Sequence, residues 1–227
     1  VKLMKAVGKK YNLSCGTYMN VTIQNACKAY EGRAILDQFD LEFPQKGTIC
    51  LLGPSGCGKT TLLNCIAGLE MLDSGAVLGI EDRKIAYMFQ EDRLLPWISA
   101  RENVEVVLNH PHIKTAERWL EAVGLKDDME KRPAELSGGM RQRVALARAL
   151  AFGGEIFLLD EPFRALDHKT RLRMQTLLQK HTQEALKILV THDLEEARSL
   201  ADQILYLEGP PLRVVHSEIQ GAQRKNA

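Results

Sequence analysis

The sequence lacks any apolar run long enough to cross a bilayer, since a membrane-spanning helix needs about 20 consecutive apolar residues. Its opening segment, residues 1–18, also lacks the apolar core of a signal peptide. We therefore expect any membrane association to come through another subunit. The formal net charge is only +1, so the chain has no basic excess of the kind that binds nucleic acid, and we expect no nucleic-acid partner.

Cysteine is scarce, and the five cysteines stand at positions 15, 27, 50, 57 and 65. This spacing fits neither a disulfide framework nor a metal site, so we interpret them as reduced thiols in the cytoplasm. Internal repeats and low-complexity segments are absent as well. The 227 residues, 45% of them hydrophobic, suffice for one domain with a lobe. We predict a possible N-terminal extension over 1–18, the domain over 19–216 and a polar tail over 217–227.

Short apolar runs indicate an α/β fold. Four of them predict a mainly parallel core sheet, at 48–52, 85–89, 156–160 and 187–191. Three further strands, of mixed direction, are predicted to form a small antiparallel layer, near 21–26, 40–43 and 76–78. The segment from Trp119 to Gly124 is typical of a helix ended by glycine, which predicts a helical lobe over about 91–140.

The most familiar motif is a phosphate loop of the form G-x-x-x-x-G-K-[ST], formed by Gly53, Pro54, Ser55, Gly56, Cys57, Gly58, Lys59 and Thr60. A buried-strand pattern precedes it and a helical pattern follows it, as the motif requires. The glycines let backbone N–H groups face phosphates, Lys59 supplies positive charge, and the Thr60 hydroxyl can ligate Mg²⁺. We include Thr61 in the nucleotide site. A chance glycine-rich turn is the alternative.

A second candidate site follows the apolar run 156–159, where Asp160 should emerge at the carboxyl edge of a parallel strand. We interpret Asp160 as a Mg²⁺ ligand acting through water. Glu161 points to the other side of the chain and could act as the general base on a water in line with the γ-phosphate. An Asp-Glu pair at this place is also common as the solvated end of an ordinary strand.

The third motif is the segment Leu136–Gln142, which contains Ser137, Gly138 and Gly139 before a helical run. Exposed backbone N–H groups at a helix N-terminus attract phosphate, so this segment is predicted to be a second anion site. Two phosphate sites with one hydrolytic centre indicate that the chain needs a partner.

Together the three motifs resemble those of the ATP-binding subunit of ABC transporters, and the resemblance covers nearly all of residues 20–215. It implies the P-loop ABC ATPase fold, with a mainly parallel core sheet, an antiparallel β layer and a helical subdomain. It implies ATP and Mg²⁺ as cofactors, and a head-to-tail dimer in which ATP lies between one phosphate loop and the other copy's Ser137 segment. Integral membrane permease subunits at the cytoplasmic face of the membrane are the implied partners, with a substrate-binding protein acting indirectly.

The same resemblance assigns roles to further residues. It places His192 against the γ-phosphate and Gln90 on Mg²⁺ and the attacking water, whereas Gln90 would otherwise be an ordinary polar residue at a strand end. Tyr30 would stack on adenine, with a simple hairpin tyrosine as the alternative. Asp167 belongs to a loop that crosses the dimer interface, where Arg164 replaces the small residue that is usual in this family.

Within the family, residues 89–97, 137–143 and 191–197 most resemble importers for nitrate, sulfonates, taurine and thiamine-precursor pyrimidines. An exporter or lipoprotein-releasing ATPase would use the same catalytic residues, and a soluble ABC protein outside transport is a further alternative. The lobe is expected to expose Leu94, Leu95 and Trp97 close together as a docking surface, although all three could instead pack its core.

Overall fold

The computed structural model describes residues 19–108 and 113–220. The predicted extension over 1–18, which includes Cys15, lies outside these residues, as does the last part of the predicted tail. A six-stranded sheet has the strand order β5-β6-β7-β3-β8-β9. Its strands are β3 (Gly47–Leu52), β5 (Ile85–Met88), β6 (Ile156–Asp160), β7 (Leu186–Thr191), β8 (Gln203–Glu208) and β9 (Arg213–Ile219).

The first five of these strands pair in parallel, and β9 pairs antiparallel to β8. Every residue of β6 and β7 is buried. This is why Ile156–Leu159 and Ile188–Val190 read as continuous apolar runs, since a parallel strand covered on both faces has no solvated side. Because the strands run the same way, their carboxyl ends meet at one edge of the sheet, which is where Asp160 and Thr191 lie.

A separate three-stranded antiparallel sheet, in the order β2-β1-β4, lies beside it. Its strands are β1 (Val21–Tyr30), β2 (Arg33–Phe43) and β4 (Ser74–Leu78). Val21, Ile23 and Phe43 turn inward and are at most 1% exposed. They pack in one core cluster with Leu62 and Ile66, so the small sheet covers the helix that follows the phosphate loop.

Six α-helices are described: α1 (Lys59–Ile66), α2 (Ala100–Glu105), α3 (Ile113–Ala122), α4 (Gly138–Phe152), α5 (His168–His181) and α6 (Leu194–Leu200). A capping box begins α2, in which Ser99 and Glu102 bond each other's backbone N–H. Past the end of α3, Gly124 has a φ of 76°, the left-handed conformation expected after a helix. Helices α2, α3 and the start of α4 form the lobe.

The architecture agrees with the predicted α/β fold, and several boundaries differ. Strands β8 and β9 were not predicted, and Ser217, placed in the tail, lies inside β9. The lobe boundary near 140 falls inside α4. The expected exposed trio is also wrong in part, because Leu94 is only 8% exposed and packs in the core, whereas Trp97 is 66% exposed. Within residues 19–108 and 113–220, helices of the length and apolarity needed to span a membrane are not found.

Candidate nucleotide site

The loop between β3 and α1 encloses a cleft of about 190 Å³ at the carboxyl edge of the large sheet. Two glycines shape the loop, since Gly56 has a φ of 78° and Gly58 a φ of 116°. These values are strained for residues with a side chain. The cleft is lined by Ile35, Ser55, Gly56, Gly58, Lys59, Thr60, Thr61, Gln90, Asp160, Glu161 and Val190.

Lys59 begins α1 and is only 7% exposed. Its Nζ donates to the carbonyl oxygens of Gly53, at 2.8 Å, and Pro54, at 2.7 Å. Gly53 has no room for a side chain, because a Cβ there would lie 2.5 Å from the carbonyl oxygen of Leu207. The Lys59 ammonium group is thus held at the wall of the cleft by two carbonyl groups of its own loop.

Within the phosphate loop itself, three of the predicted nucleotide contacts are not among the lining residues: Gly53, Pro54 and Cys57. Cys57 is fully buried and packs in the core beside Leu62. Its Sγ lies 3.6 Å from the Lys59 Nζ. The side chain of Cys57 therefore faces the core, which leaves only its backbone to face a phosphate.

Thr60 and Asp160 meet across the cleft, and the Thr60 Oγ1 donates to the Asp160 Oδ2 at 2.7 Å. Asp160 is 2% exposed, and this burial raises its pKa, as does the neighbouring Glu161. The Thr60 hydrogen bond and the Lys59 charge oppose the rise. Gln90, predicted to share the metal, lines the same cleft and is exposed. A hydroxyl, a carboxylate and an amide oxygen are the donors that Mg²⁺ prefers, so this set fits the ion.

Glu161 stands at the strand end in an unusual backbone conformation, with a φ of 48°. Its N–H donates to the Val190 carbonyl at 2.9 Å. On the side chain, Oε1 lies 3.1 Å from the His192 Nδ1. Oε2 is buried without a hydrogen bond and lies 3.6 Å from a guanidinium nitrogen of Arg164. The structure thus brings two of the three predicted catalytic side chains, Glu161 and His192, into contact, and of these two only Glu161 lines the cleft.

Tyr30 ends β1 and is 41% exposed, with the Lys28 ammonium 5.2 Å from its ring centroid. Partial burial and the nearby Glu70 raise the pKa of its hydroxyl, while a hydrogen bond with Thr61 and the Lys28 charge lower it. The contact with Thr61 puts Tyr30 beside the start of α1. Its ring is not part of the cleft wall.

The predicted second anion site lies elsewhere on the chain. Ser137 caps α4 and accepts a hydrogen bond from the Met140 N–H at 3.3 Å. Ser137 and Gly138 are exposed, and Gly139 is partly buried. Among the described residues that line the phosphate cleft, none belongs to this segment. Asp167 caps α5, and its Oδ1 accepts from the Thr170 N–H at 3.0 Å, a bond that lowers the pKa of the Asp167 carboxyl.

Three residues in or beside the site have no role in the sequence prediction, although one of them, Gln142, ends the third motif. Ile35 and Val190 line the cleft as ordinary apolar residues, and nothing in the sequence distinguishes them. Gln142, on α4, is 9% exposed and bonds the backbone of Glu161 and Ala165. The sequence feature that could have revealed Gln142 is a polar residue close to Val144, Ala145 and the other apolar positions of the same helix.

Comparison with known proteins agrees with this geometry. Residues 36–164 match the family described as ABC transporter. The taurine import ATP-binding protein TauB of Pseudomonas aeruginosa (strain UCBPP-PA14) is 44% identical over 199 residues, which cover 81% of this chain and 75% of that protein. The aliphatic sulfonates import ATP-binding protein SsuB 2 of Burkholderia cenocepacia (strain HI2424) is 44% identical over 206 residues, covering 86% and 76%.

Among solved structures, the ATP-binding cassette MJ0796, in a dimeric post-hydrolysis state bound to ADP and Pi, superposes with a TM-score of 0.81. It is 30% identical, and the match covers 89% of this chain and 99% of that one. The predicted fold, with its mainly parallel sheet, its antiparallel layer and its helices, is therefore confirmed.

Proposed function

The chain belongs to the ABC transporter family, and we propose that it is the ATP-hydrolysing subunit of an importer. It works as a head-to-tail dimer on permease subunits at the cytoplasmic face of the membrane. The observation that carries the proposal is the meeting of Lys59, Thr60, Asp160, Glu161 and His192 at one edge of the sheet.

Nucleotide binding is assigned to the loop and to the start of α1. The backbone N–H groups of residues 55–60 face the phosphates, and the Lys59 ammonium exchanges its two loop carbonyls for phosphate oxygens. Thr60, Asp160 and Gln90 would hold Mg²⁺, which when bound neutralises phosphate charge. Tyr30, beside Thr61, would stack on the base.

Hydrolysis is assigned to Glu161. Its Oε2 makes no hydrogen bond among the described residues and lies 3.6 Å from a guanidinium nitrogen of Arg164, and to this oxygen we assign the proton of the attacking water. His192 lies 3.1 Å from the other carboxylate oxygen and orients the Glu161 side chain.

The Ser137 segment is assigned to the ATP of the second copy. Its serine, its exposed backbone and the N-terminus of the 15-residue helix α4 form an anion site that this chain's own cleft does not use. The dimeric solved cassette supports such an arrangement.

Coupling to the permease is assigned to the segment after Gln90. Helix α4 holds this segment, because the Arg141 Nε donates to Asp92 Oδ2 at 2.8 Å. Arg148 donates to the carbonyl oxygens of Asp92 and Arg93, at 2.8 and 2.9 Å. A permease that pressed on the lobe near Trp97 would therefore move Gln90 and the Ser137 segment together.

The transported solute belongs to the sulfonate class in this proposal. Proteins named as importers of taurine and of aliphatic sulfonates, at 44% identity, support this choice over nitrate or a thiamine precursor. They also favour an importer over an exporter, a lipoprotein-releasing ATPase or a soluble ABC protein.

The test is the variant Glu161→Gln, which keeps the size of the side chain and removes its basicity. We expect ATP affinity to stay near the wild-type value while turnover falls by at least ~10²-fold, the scale of losing a positioned base. Nucleotide affinity and phosphate release are measured on the same preparation. Glu195→Gln, an exposed carboxylate on α6, is the control. Near-normal turnover in Glu161→Gln would remove Glu161 from its role.

A further inference from the structure

Gln142 is a buried glutamine whose two amide ends are both used. Its Nε2 donates to the Glu161 carbonyl at 3.0 Å, and its Oε1 accepts from the Ala165 N–H at 2.8 Å. A carbonyl can only accept and a backbone N–H can only donate, so these partners fix the orientation of the amide. One side chain of α4 therefore holds both ends of the turn from Glu161 to Ala165.

Glu161, the first residue of this turn, has an unfavourable left-handed backbone conformation. A φ of 48° at a non-glycine residue costs roughly 1 kcal/mol or more, and such residues persist only when their surroundings hold them. The Glu161 N–H is held by Val190 of β7. The Glu161 carbonyl is held by Gln142 and, at the longer distance of 3.3 Å, by the Arg164 N–H. Gln142 is thus the only side chain among the described contacts that fixes the Glu161 backbone.

The start of α4 also touches the same turn directly. A Cβ added at Gly139 would lie 2.9 Å from the Ala165 carbonyl oxygen, so the glycine lets helix and turn approach closely. Gly138 and Ser137, one and two residues before it, are exposed. Gln142 follows one helical turn later and is buried. The N-terminal end of α4, at Ser137 and Gly138, is therefore exposed, whereas Gln142, one helical turn further on, contacts the chain segment from Glu161 to Ala165.

We propose that Gln142 is a positioning residue that sets the Glu161 carboxylate of its own chain, and that it links this carboxylate to the Ser137 segment. This inference rests on the proposed function, because Ser137 is assigned there to the second copy's ATP. A shift of α4 on engaging that ATP reaches Glu161 through the Gln142 amide. The segment that serves one ATP thereby adjusts the base that serves the other.

Two variants of Gln142 test the proposal. Gln142→Met keeps the length and the unbranched shape while removing both hydrogen bonds. Gln142→Glu keeps an acceptor for the Ala165 N–H but cannot donate to the Glu161 carbonyl. The matched control is Gln175→Met, since Gln175 is 5% exposed on α5 and accepts from the Ser199 hydroxyl, at 3.5 Å, away from the cleft. Turnover number, Michaelis constant, ATP affinity and melting temperature are measured for the wild type and for the three variants.

We expect turnover to fall roughly 10- to 100-fold in both Gln142 variants, the range that follows from misplacing a reacting group by about 1 Å. ATP affinity and Michaelis constant should stay within about twofold, and Gln175→Met should keep wild-type turnover. Turnover within about threefold of wild type in either folded variant would overturn the proposal. A loss of turnover that comes with an equal loss of ATP affinity would also overturn it, as would a loss that Gln175→Met shows to the same extent at the same fall in melting temperature. If Gln142→Met does not fold, Gln142→Glu decides alone. A wild-type chain without any turnover would instead remove the proposed function and this inference with it.

Discussion

The phosphate-loop half of the proposed ATP site and its Ser137 half satisfy their polar groups differently. Lys59, Thr60 and Glu161 each have a partner within the chain, at 2.7 to 3.1 Å. Ser137 and Gly138 are exposed, and the Ser137 hydroxyl caps only its own helix. The first half is therefore assembled by folding, whereas the second half lies at the surface, where in the proposed dimer a second chain would complete it.

The largest expected effect comes from separating the two halves in a mixed dimer. Lys59→Ala disables the first half, and Ser137→Arg blocks the second. Each mutant homodimer should lose at least ~10²-fold in turnover, the scale of losing one preorganised contact to developing charge. In a mixed dimer of the two variants, one of the two composite sites has both residues intact, so weak hydrolysis should return.

The mixed dimer is isolated with two different affinity tags, and phosphate release is compared with that of both homodimers. Mixing wild-type and Ser137→Arg chains provides the control for dimer exchange. A mixed dimer no more active than the homodimers would contradict the shared site, as would a Ser137→Arg homodimer with normal turnover.

The same contrast explains what the sequence could predict. The phosphate loop, β6 and β7 are local patterns, so the sequence alone suffices to put Lys59, Asp160 and His192 at one edge of the sheet. Strand β9 lacks that clarity because it is almost wholly exposed and has no apolar period. Strand β8 does contain the apolar run Ile204–Leu207, so its sequence could have indicated a strand. The role of Gln142 does not follow from the sequence, because its partners lie 19 and 23 residues away, and no local pattern marks a hydrogen bond at that distance.

Helical-lobe residues offer a second comparison, between a buried and an exposed position three residues apart. Leu94 is 8% exposed in the core and Trp97 is 66% exposed. Leu94→Ala should lower the free energy of unfolding by about 2–5 kcal/mol, the usual cost of such a cavity. Trp97→Ala should change it by less than about 0.5 kcal/mol. Urea unfolding of the isolated chain measures both.

Trp97 then decides whether the lobe is a docking surface. If a permease binds there, Trp97→Ala should weaken recovery of the chain with its permease and uncouple ATP turnover from uptake. A Trp97→Ala chain that unfolds early and still assembles normally would show that Trp97 only packs the lobe. Leu94→Ala supplies the reference for a loss of assembly that comes from instability alone.

A third comparison concerns buried carboxyl groups. The phosphate-loop half of the site has one close by, on α6, four residues after His192. Glu196, on α6, is 6% exposed, and its Oε2 accepts from the Thr191 hydroxyl at 3.2 Å. Burial raises the pKa of Glu196 to about 7, with Asp193 adding to the rise. Thr191, Arg171 and His192 oppose it. The native chain therefore holds this carboxyl neutral at mildly acidic pH and must bury a charge above neutrality.

The smallest expected effect is the pH dependence that this carboxyl gives to stability. Because its folded pKa of about 7 lies above the ordinary value of 4.5, its contribution is fully present below pH 4.5 and is lost as pH rises through 7. Between pH 5 and pH 8 the wild type should lose roughly 2 kcal/mol of unfolding free energy from this group. Glu196→Gln should lack that loss, as urea unfolding at both pH values will measure. Glu135→Gln, an exposed carboxylate two residues before Ser137, should keep the full loss. If the free energy of unfolding of Glu196→Gln fell with pH in parallel with that of the wild type, the titrating group would lie elsewhere. Buried charge would then no longer distinguish the two halves of the site.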